Sequence, residues 1–267
     1  MQYAGQFHDC PECIEAYFNH VRFMLGRTNQ VTGVRYVDDP TIMSWQIANE
    51  PRAVSAGHIP AFEKWMKEAC ALFKSLDPNH LLSTGNEGER GSEGRIDLYE
   101  RLHADPHVDY CTMHIWPKNW RWLNVEDIPG SLESCIELTN EYIDKHCAVA
   151  SSLGKPIVIE EYGFPRDGHA YTLETTTKSR DKYYANVFAA VARHQREGGP
   201  LAGCNFWTFG GVGRPAPGDP FWSKGEDFVG DPPQEEQGLN SVFDVDTTID
   251  VIDEYNRQLG ATGDRQP

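Results

Sequence analysis

The 267-residue sequence predicts an α/β fold built on a parallel sheet covered on both faces. Three observations point there. Apolar strand-like runs alternate with helical runs about five times, the order expected of consecutive βα units. The strand runs are apolar rather than half polar, as in strands buried on both sides. Each run also ends in polar or aromatic residues: Asn49-Glu50, Asn86-Glu87, His114 to Trp116, Glu160-Glu161 and Trp207. In a (β/α)8 barrel the functional groups lie at those C-terminal strand ends, and a doubly wound sheet uses its strand ends too. No Gly-rich phosphate loop follows any strand, so nucleotide binding has no support.

The elements follow in order. Asp9 and Glu12 have capping-box spacing with Pro11 in the first turn, and Ile14, Phe18, Val21 and Leu25 recur at helical spacing. Residues 41–48 read as a buried strand. Pro60 opens a helix with Phe62, Trp65, Met66, Ala69 and Phe73 on one face. A short strand over 81–84, a helix over 96–102 and a strand over 108–116 come next. A long helix over 132–153 closes on Gly154. A β-branched strand runs over 157–161, and a helix over 178–196 closes on Gly198-Gly199. The last strand spans 204–209. A Pro/Gly-rich loop covers 210–240, and an amphipathic helix over 248–259 ends the pattern.

Composition bounds the function. Hydrophobic residues make up 39% and charged residues 24%, enough to bury a sizeable core. A net charge of −16 repels polyanions, so nucleic acid is not an expected partner, whereas neutral polysaccharides are compatible. No run reaches the roughly 20 apolar residues of a membrane span, and the first twenty residues lack a signal-peptide pattern. Seven cysteines leave at least one unpaired within the chain. Cys111 and Cys204 sit in apolar runs as small core residues. Cys10-x-x-Cys13 stands without a second cluster at zinc spacing, so no metal is expected.

Glu50 and Glu161 are the candidate catalytic pair, 161 − 50 = 111 residues or three βα units apart. Two carboxyl groups flanking a scissile bond are the requirement of glycoside hydrolysis, with one as acid/base and one as nucleophile in a retaining enzyme. A single strand-end Glu is ordinarily a solvated or ion-paired residue; two inside specific local motifs are harder to explain that way. Glu160 competes with Glu161 for the nucleophile role. Neighbouring strand residues face opposite ways, so one of the two is expected to enter the site, and spacing does not choose.

Thr41-Ile-Met-Ser-Trp-Gln-Ile-Ala-Asn-Glu-Pro-Arg52 resembles the fourth-strand signature of glycoside hydrolase family 5, and Lys155-Pro-Ile-Val-Ile-Glu-Glu-Tyr-Gly-Phe-Pro165 its seventh-strand motif. Tyr110 to Pro117, Asn205 to Gly211, and the loop from Trp222 through Gly230-Asp-Pro-Pro-Gln234 to Ser241-Val-Phe-Asp244 resemble the endo-β-1,4-mannanase branch. The likeness extends over essentially the whole chain. It implies a (β/α)8 TIM-barrel type fold, present as strands four to eight, and retaining endo-hydrolysis of β-1,4-mannosidic bonds without a cofactor. It assigns Glu50 as acid/base, Glu161 as nucleophile and Glu160 as support.

The same resemblance makes Asn49, His114, Trp116, Trp207, Glu87, Arg52 and Trp222 candidate substrate-binding residues. Asn49 can bond the sugar 2-hydroxyl, and Trp207 offers an aromatic face to a pyranose. Glu87, with Arg90, suits sugar contacts or ion pairing better than chemistry. Many family members carry Tyr where Trp116 stands; an indole donates only through its N–H, so Trp116 either orients Glu161 or stacks on sugar.

The fourth-strand motif normally follows roughly 100 residues of earlier βα units; here it begins at Thr41. The reading is therefore a single partial barrel domain over 1–267, translated from an internal Met and lacking its first strands. The family's second-strand Arg has no counterpart. Open sheet edges would favour self-association. The expected partner is β-mannan or a manno-oligosaccharide, and the expected location is extracellular or periplasmic. The alternatives are a related β-glycanase of endoglucanase type and a non-catalytic carbohydrate-binding fragment.

Overall fold

The structure, a computed structural model, describes residues 2–263; Met1, the supposed internal start, and residues 264–267 lie outside the described residues. The described helices are α1 (Gln2–Gly5), α2 (Pro11–Gly26), α3 (Ile59–Leu76), α4 (Ile96–His103), α5 (Ile128–Leu153), α6 (Lys178–Glu197) and α7 (Thr248–Gly263). The strands are β1 (Ser44–Gln46), β2 (Leu81–Ser83), β3 (Cys111–Ile115), β4 (Ile157–Tyr162), β5 (Leu201–Cys204), β6 (Phe209–Gly211) and β7 (Val242–Phe243). From β1 to β4 each strand is followed by a helix before the next strand begins, whereas β5 leads directly to β6. The strands pair as β1-β2, β3-β4-β5 and β6-β7. No described helix is long and apolar enough to cross a membrane.

Two compact units emerge: Met1–Met113 with Ala148–Val158, and His114–Cys147 with Ile159–Pro267. In the first, α3 shows why its sequence is helical. Ile59, Phe62, Trp65, Met66, Ala69, Cys70 and Phe73 recur at three- and four-residue spacing, and all are buried. They pack with Val21 and Leu25 of α2 and with Leu82, Leu98 and Leu102. Burying one such ring contributes about 2–3 kcal/mol. β1 and β2 run parallel with Trp45 opposite Leu82.

Asp77 ends α3 and ties it to both strands. Its carboxylate accepts Trp45 Nε1 at 2.7 Å and His80 Nδ1 at 2.6 Å, while His80 Nε2 faces the Asp39 carbonyl at 3.0 Å. Burial opposes charge on both groups, but these bonds prevail: Asp77 lies below the usual carboxylate range and His80 above the usual imidazole value.

In the second unit, Tyr162 of β4 packs on Tyr184 and Phe188 of α6, with ring centroids 4.9 and 6.3 Å away. Phe164 stacks on Tyr183 at 4.6 Å. Arg180 of α6 is fully buried and donates to the carbonyls of Phe164, Ser241 and Leu239 at 2.7–2.8 Å. Asp246 takes Arg166 at 2.6 Å and lies 3.4 Å from Arg180. These bonds hold the exit of β4 and the chain around β7 against α6.

Several sequence-level boundaries move. Cys10, not Asp9, caps α2, its sulfur accepting the Cys13 N–H at 3.3 Å. The first strand shortens from 41–48 to Ser44–Gln46 because Asp39 folds Thr41 into a turn, accepting its N–H at 3.0 Å. α5 starts four residues early, where Asp127 accepts the Gly130 N–H at 3.0 Å and supplies the cap. The last strand of the alternation is Leu201–Cys204 rather than 204–209. Part of the supposed final loop forms a strand, since β6 pairs in parallel with β7.

Candidate active site

The predicted site residues fall in both units, and each half has its own construction. In the first, the chain leaves β1 and turns at Glu50 with φ 49°, a left-handed conformation rare for a residue with a side chain. Three groups hold the turn from the second strand end. The Glu50 N–H donates to the Gly85 carbonyl at 3.0 Å, and Asn86 Nδ2 donates to the Pro51 carbonyl at 3.2 Å. The exposed Arg52 side chain forms an ion pair with buried Glu87. Glycine is required at 85: its φ is 70°, and a Cβ there would run into the Ala48 carbonyl. Glu50 is half-buried, whereas Asn49 and Arg90 are exposed.

In the second unit β3 and β4 deliver the other half. Glu161 Oε2 lies 3.3 Å from Trp116 Nε1, which donates to it, and 3.3 Å from His114 Nδ1. His114 is buried, and its Nε2 stands 4.0 Å from Glu160 Oε2. Both carboxylates therefore lie around one imidazole, and simple alternation along β4 does not separate them. The Trp116 indole reaches Glu161 by packing over Gly163, where a Cβ would sit 2.5 Å from its ring. Trp207 lies past β5 rather than at its end; its N–H donates to the Tyr162 carbonyl at 2.8 Å, and the Trp207–Thr208 peptide is cis. Trp222 sits on the loop before β7, half-buried, its Nε1 donating to the Glu226 carbonyl at 3.1 Å.

Chemically, the Glu161 carboxylate has a ring N–H directed at it, with a second ring nitrogen at equal distance. That arrangement fixes the carboxylate in place. Glu50 is a carboxyl mounted on a constrained turn. Tyr17 went unremarked in the sequence, yet its hydroxyl donates to the Ile47 carbonyl at 2.6 Å and helps anchor that turn. Only the apolar spacing of its helix is local; the partner is 30 residues away.

The strand–helix alternation and strand-end carboxylates are those of the (β/α)8 class of glycoside hydrolases. A family profile described as GH family 5 beta-mannosidase-like matches residues 1–264. The chain belongs to glycoside hydrolase family 5. It is 31% identical over 207 residues to mannan endo-1,4-beta-mannosidase 4 of Solanum lycopersicum, covering 74% of this chain and 49% of that protein. It is 35% identical over 205 residues to mannan endo-1,4-beta-mannosidase 1 of Oryza sativa subsp. japonica, covering 72% and 45%.

Among solved structures, the family 5 mannosidase of Rhizomucor miehei superposes with a TM-score of 0.85 at 32% identity, covering 97% of this chain and 62% of that one. The endo-beta-1,4-mannanase of Thermotoga petrophila gives a TM-score of 0.68 at 26% identity, covering 98% and 54%. These neighbours assign the (β/α)8 TIM-barrel type fold. The chain spans about half the length of the curated relatives it matches.

Proposed function

We propose that this chain carries the catalytic residues of a retaining β-1,4-mannanase that cleaves mannan internally. The observation that carries the proposal is the Glu161 carboxylate at the end of β4, 3.3 Å from both Trp116 Nε1 and His114 Nδ1. A nucleophile must be aimed, and the Trp116 indole N–H with the neighbouring His114 ring holds Glu161 in one orientation. Glu161 attacks the anomeric carbon. Glu50 protonates the departing glycosidic oxygen, then deprotonates the water that releases the sugar. His114 and Trp116 orient Glu161; Glu160 supports His114. Asn49, Arg52, Trp207 and Trp222 contact the sugar chain, whereas Glu87, expected from the sequence as a sugar contact, is buried and acts through its ion pair with Arg52. We read β1 to β5 as consecutive strands four to eight of one barrel domain. A polymer such as mannan does not enter cells, so we place the enzyme's work outside the cytoplasm.

The test is covalent trapping. An activated 2-fluoro mannobioside should leave an adduct that peptide mapping locates on Glu161. An adduct on Glu160, or first release of the inverted anomer by NMR, would overturn the assignment or the mechanism respectively.

The profile's beta-mannosidase-like description and the Rhizomucor mannosidase favour a second reading, exo-acting release of mannose. Rapid viscosity loss of mannan with few reducing ends supports the endo reading; free mannose as the first product supports the exo reading.

A further inference from the structure

We propose that His8 and Asn86 are positioning residues for Glu50, acting through the backbone of the Glu50-Pro51-Arg52 turn. The inference rests on the reading of Glu50 as the acid/base.

Three consecutive residues of that turn are each held by a distant partner. The Glu50 N–H donates to the Gly85 carbonyl at 3.0 Å. The Pro51 carbonyl accepts Asn86 Nδ2 at 3.2 Å. The Arg52 carbonyl accepts His8 Nε2 at 3.1 Å across 44 residues of sequence. The turn needs such fixing. Glu50 has φ 49°, a strained backbone region that persists only where surroundings over-determine it.

Neither donor is free to turn away. Asn86 is fully buried, and its Oδ1 already accepts the Gly88 N–H at 2.8 Å and the Ser92 hydroxyl at 3.3 Å, so its amide group must face Pro51. His8 is 9% exposed and packs against the stacked pair Phe62 and Trp65, with ring centroids 5.0 and 5.1 Å away. A carbonyl only accepts, so His8 carries its proton on Nε2. Its Nδ1 is then a buried nitrogen without a partner, which suits a neutral ring. Burial holds the imidazole below its ordinary pKa in the same sense. The aromatic wall, not a second hydrogen bond, sets the angle of this donor.

A general acid misplaced by about an ångström loses rate steeply. The loss falls on substrates whose leaving group needs the proton. A merely structural role would lower activity on every substrate alike.

The experiment measures kcat/KM of the full chain for mannopentaose and for 2,4-dinitrophenyl β-mannobioside, whose leaving group departs unaided. His8→Phe fills the aromatic wall and deletes the donor; His8→Gln keeps an amide near the Nε2 position; Asn86→Ala tests the second bond. Expected are losses of about ten-fold or more on mannopentaose for His8→Phe and Asn86→Ala, with the aryl substrate within about two-fold. His8→Gln should recover most of the difference. Equal losses on both substrates, or none, in soluble variants that unfold cooperatively would overturn the proposal. Glu50→Gln separates the two layers. If it shows no leaving-group-dependent loss, the acid/base reading fails. If it does and His8→Phe does not, the positioning inference alone fails.

Discussion

Trp116 is a single residue whose role turns on one atom. Its indole N–H reaches Glu161 Oε2 at 3.3 Å, so its position orients the carboxylate. A hydrogen bond to a charged group is worth about 1.5–3 kcal/mol, or roughly ten- to hundred-fold in rate. Trp116→Phe should lower kcat/KM on mannan by about that factor, and Trp116→Tyr, with a donor restored, should lose less. An undiminished Phe variant would reduce Trp116 to a sugar platform. For Glu50, exchange to Gln keeps shape and removes the proton, so mannan hydrolysis should fall by about 10²–10⁴-fold with oligosaccharide binding retained. Full turnover by that variant would remove Glu50 from the mechanism. Residue identity at strand ends was legible in the sequence because Asn49-Glu50 and Glu160-Glu161 sit in local motifs. Spacing did not choose between Glu160 and Glu161, which only the motif resemblance separated; in the fold both surround His114, a residue of another strand.

At the scale of elements, α3 is stabilised along its buried face. Phe62→Ala should cost about 3–5 kcal/mol by denaturant titration, because the ring is fully buried and stacked with Trp65 at 6.1 Å. A loss under 1 kcal/mol would show that this face is loosely packed. The Asp77–His80 pair at its end predicts a pH dependence. His80 is raised in the folded chain, so its contribution is complete below the unfolded value of about 6.5 and fades as pH rises through the folded one. Asp77 is lowered, so its contribution is present above about 3.9 and is lost as pH falls through the folded value. Asp77→Asn should therefore destabilise most near pH 6, by about 3–5 kcal/mol, and less at pH 9. An equal effect at both values would deny the charged pair. Helix faces followed from apolar periodicity. Caps and short strands did not, because the bond that starts α5 comes from Asp127, outside the apolar pattern, and β6 finds its partner some 30 residues further on.

For the whole molecule, burial sorts the thiols. Packing pushes Cys70, Cys135 and Cys204 up to about 12 and Cys111 to about 11, whereas Cys13 at the start of α2 is exposed and Cys10 half-exposed. A reagent must reach the sulfur, so Cys10 and Cys13 should label in the native chain and the buried Cys70, Cys111, Cys135 and Cys147 only on unfolding. Rapid native labelling of Cys70 would contradict the packing of α3. Among the described strands, β1 pairs only with β2, and β5 only with β4. Unpaired strand edges template association. Sedimentation should show concentration-dependent self-association, relieved by Lys substitution at exposed Met43, beside β1. A strictly monomeric chain at high concentration would argue that these edges are covered.

By itself the sequence determined the α/β alternation, the family, the apolar helix faces and the strand-end carboxylates, because each is written in neighbouring residues through periodicity or motif. Tertiary structure alone decided which groups meet. His8 reaches the Arg52 carbonyl across 44 residues, Trp116 reaches Glu161 across 45, and Arg180 reaches Ser241 across 61. Such bonds depend on how packed elements bring distant backbone and side chains together. Local spacing carries no record of that.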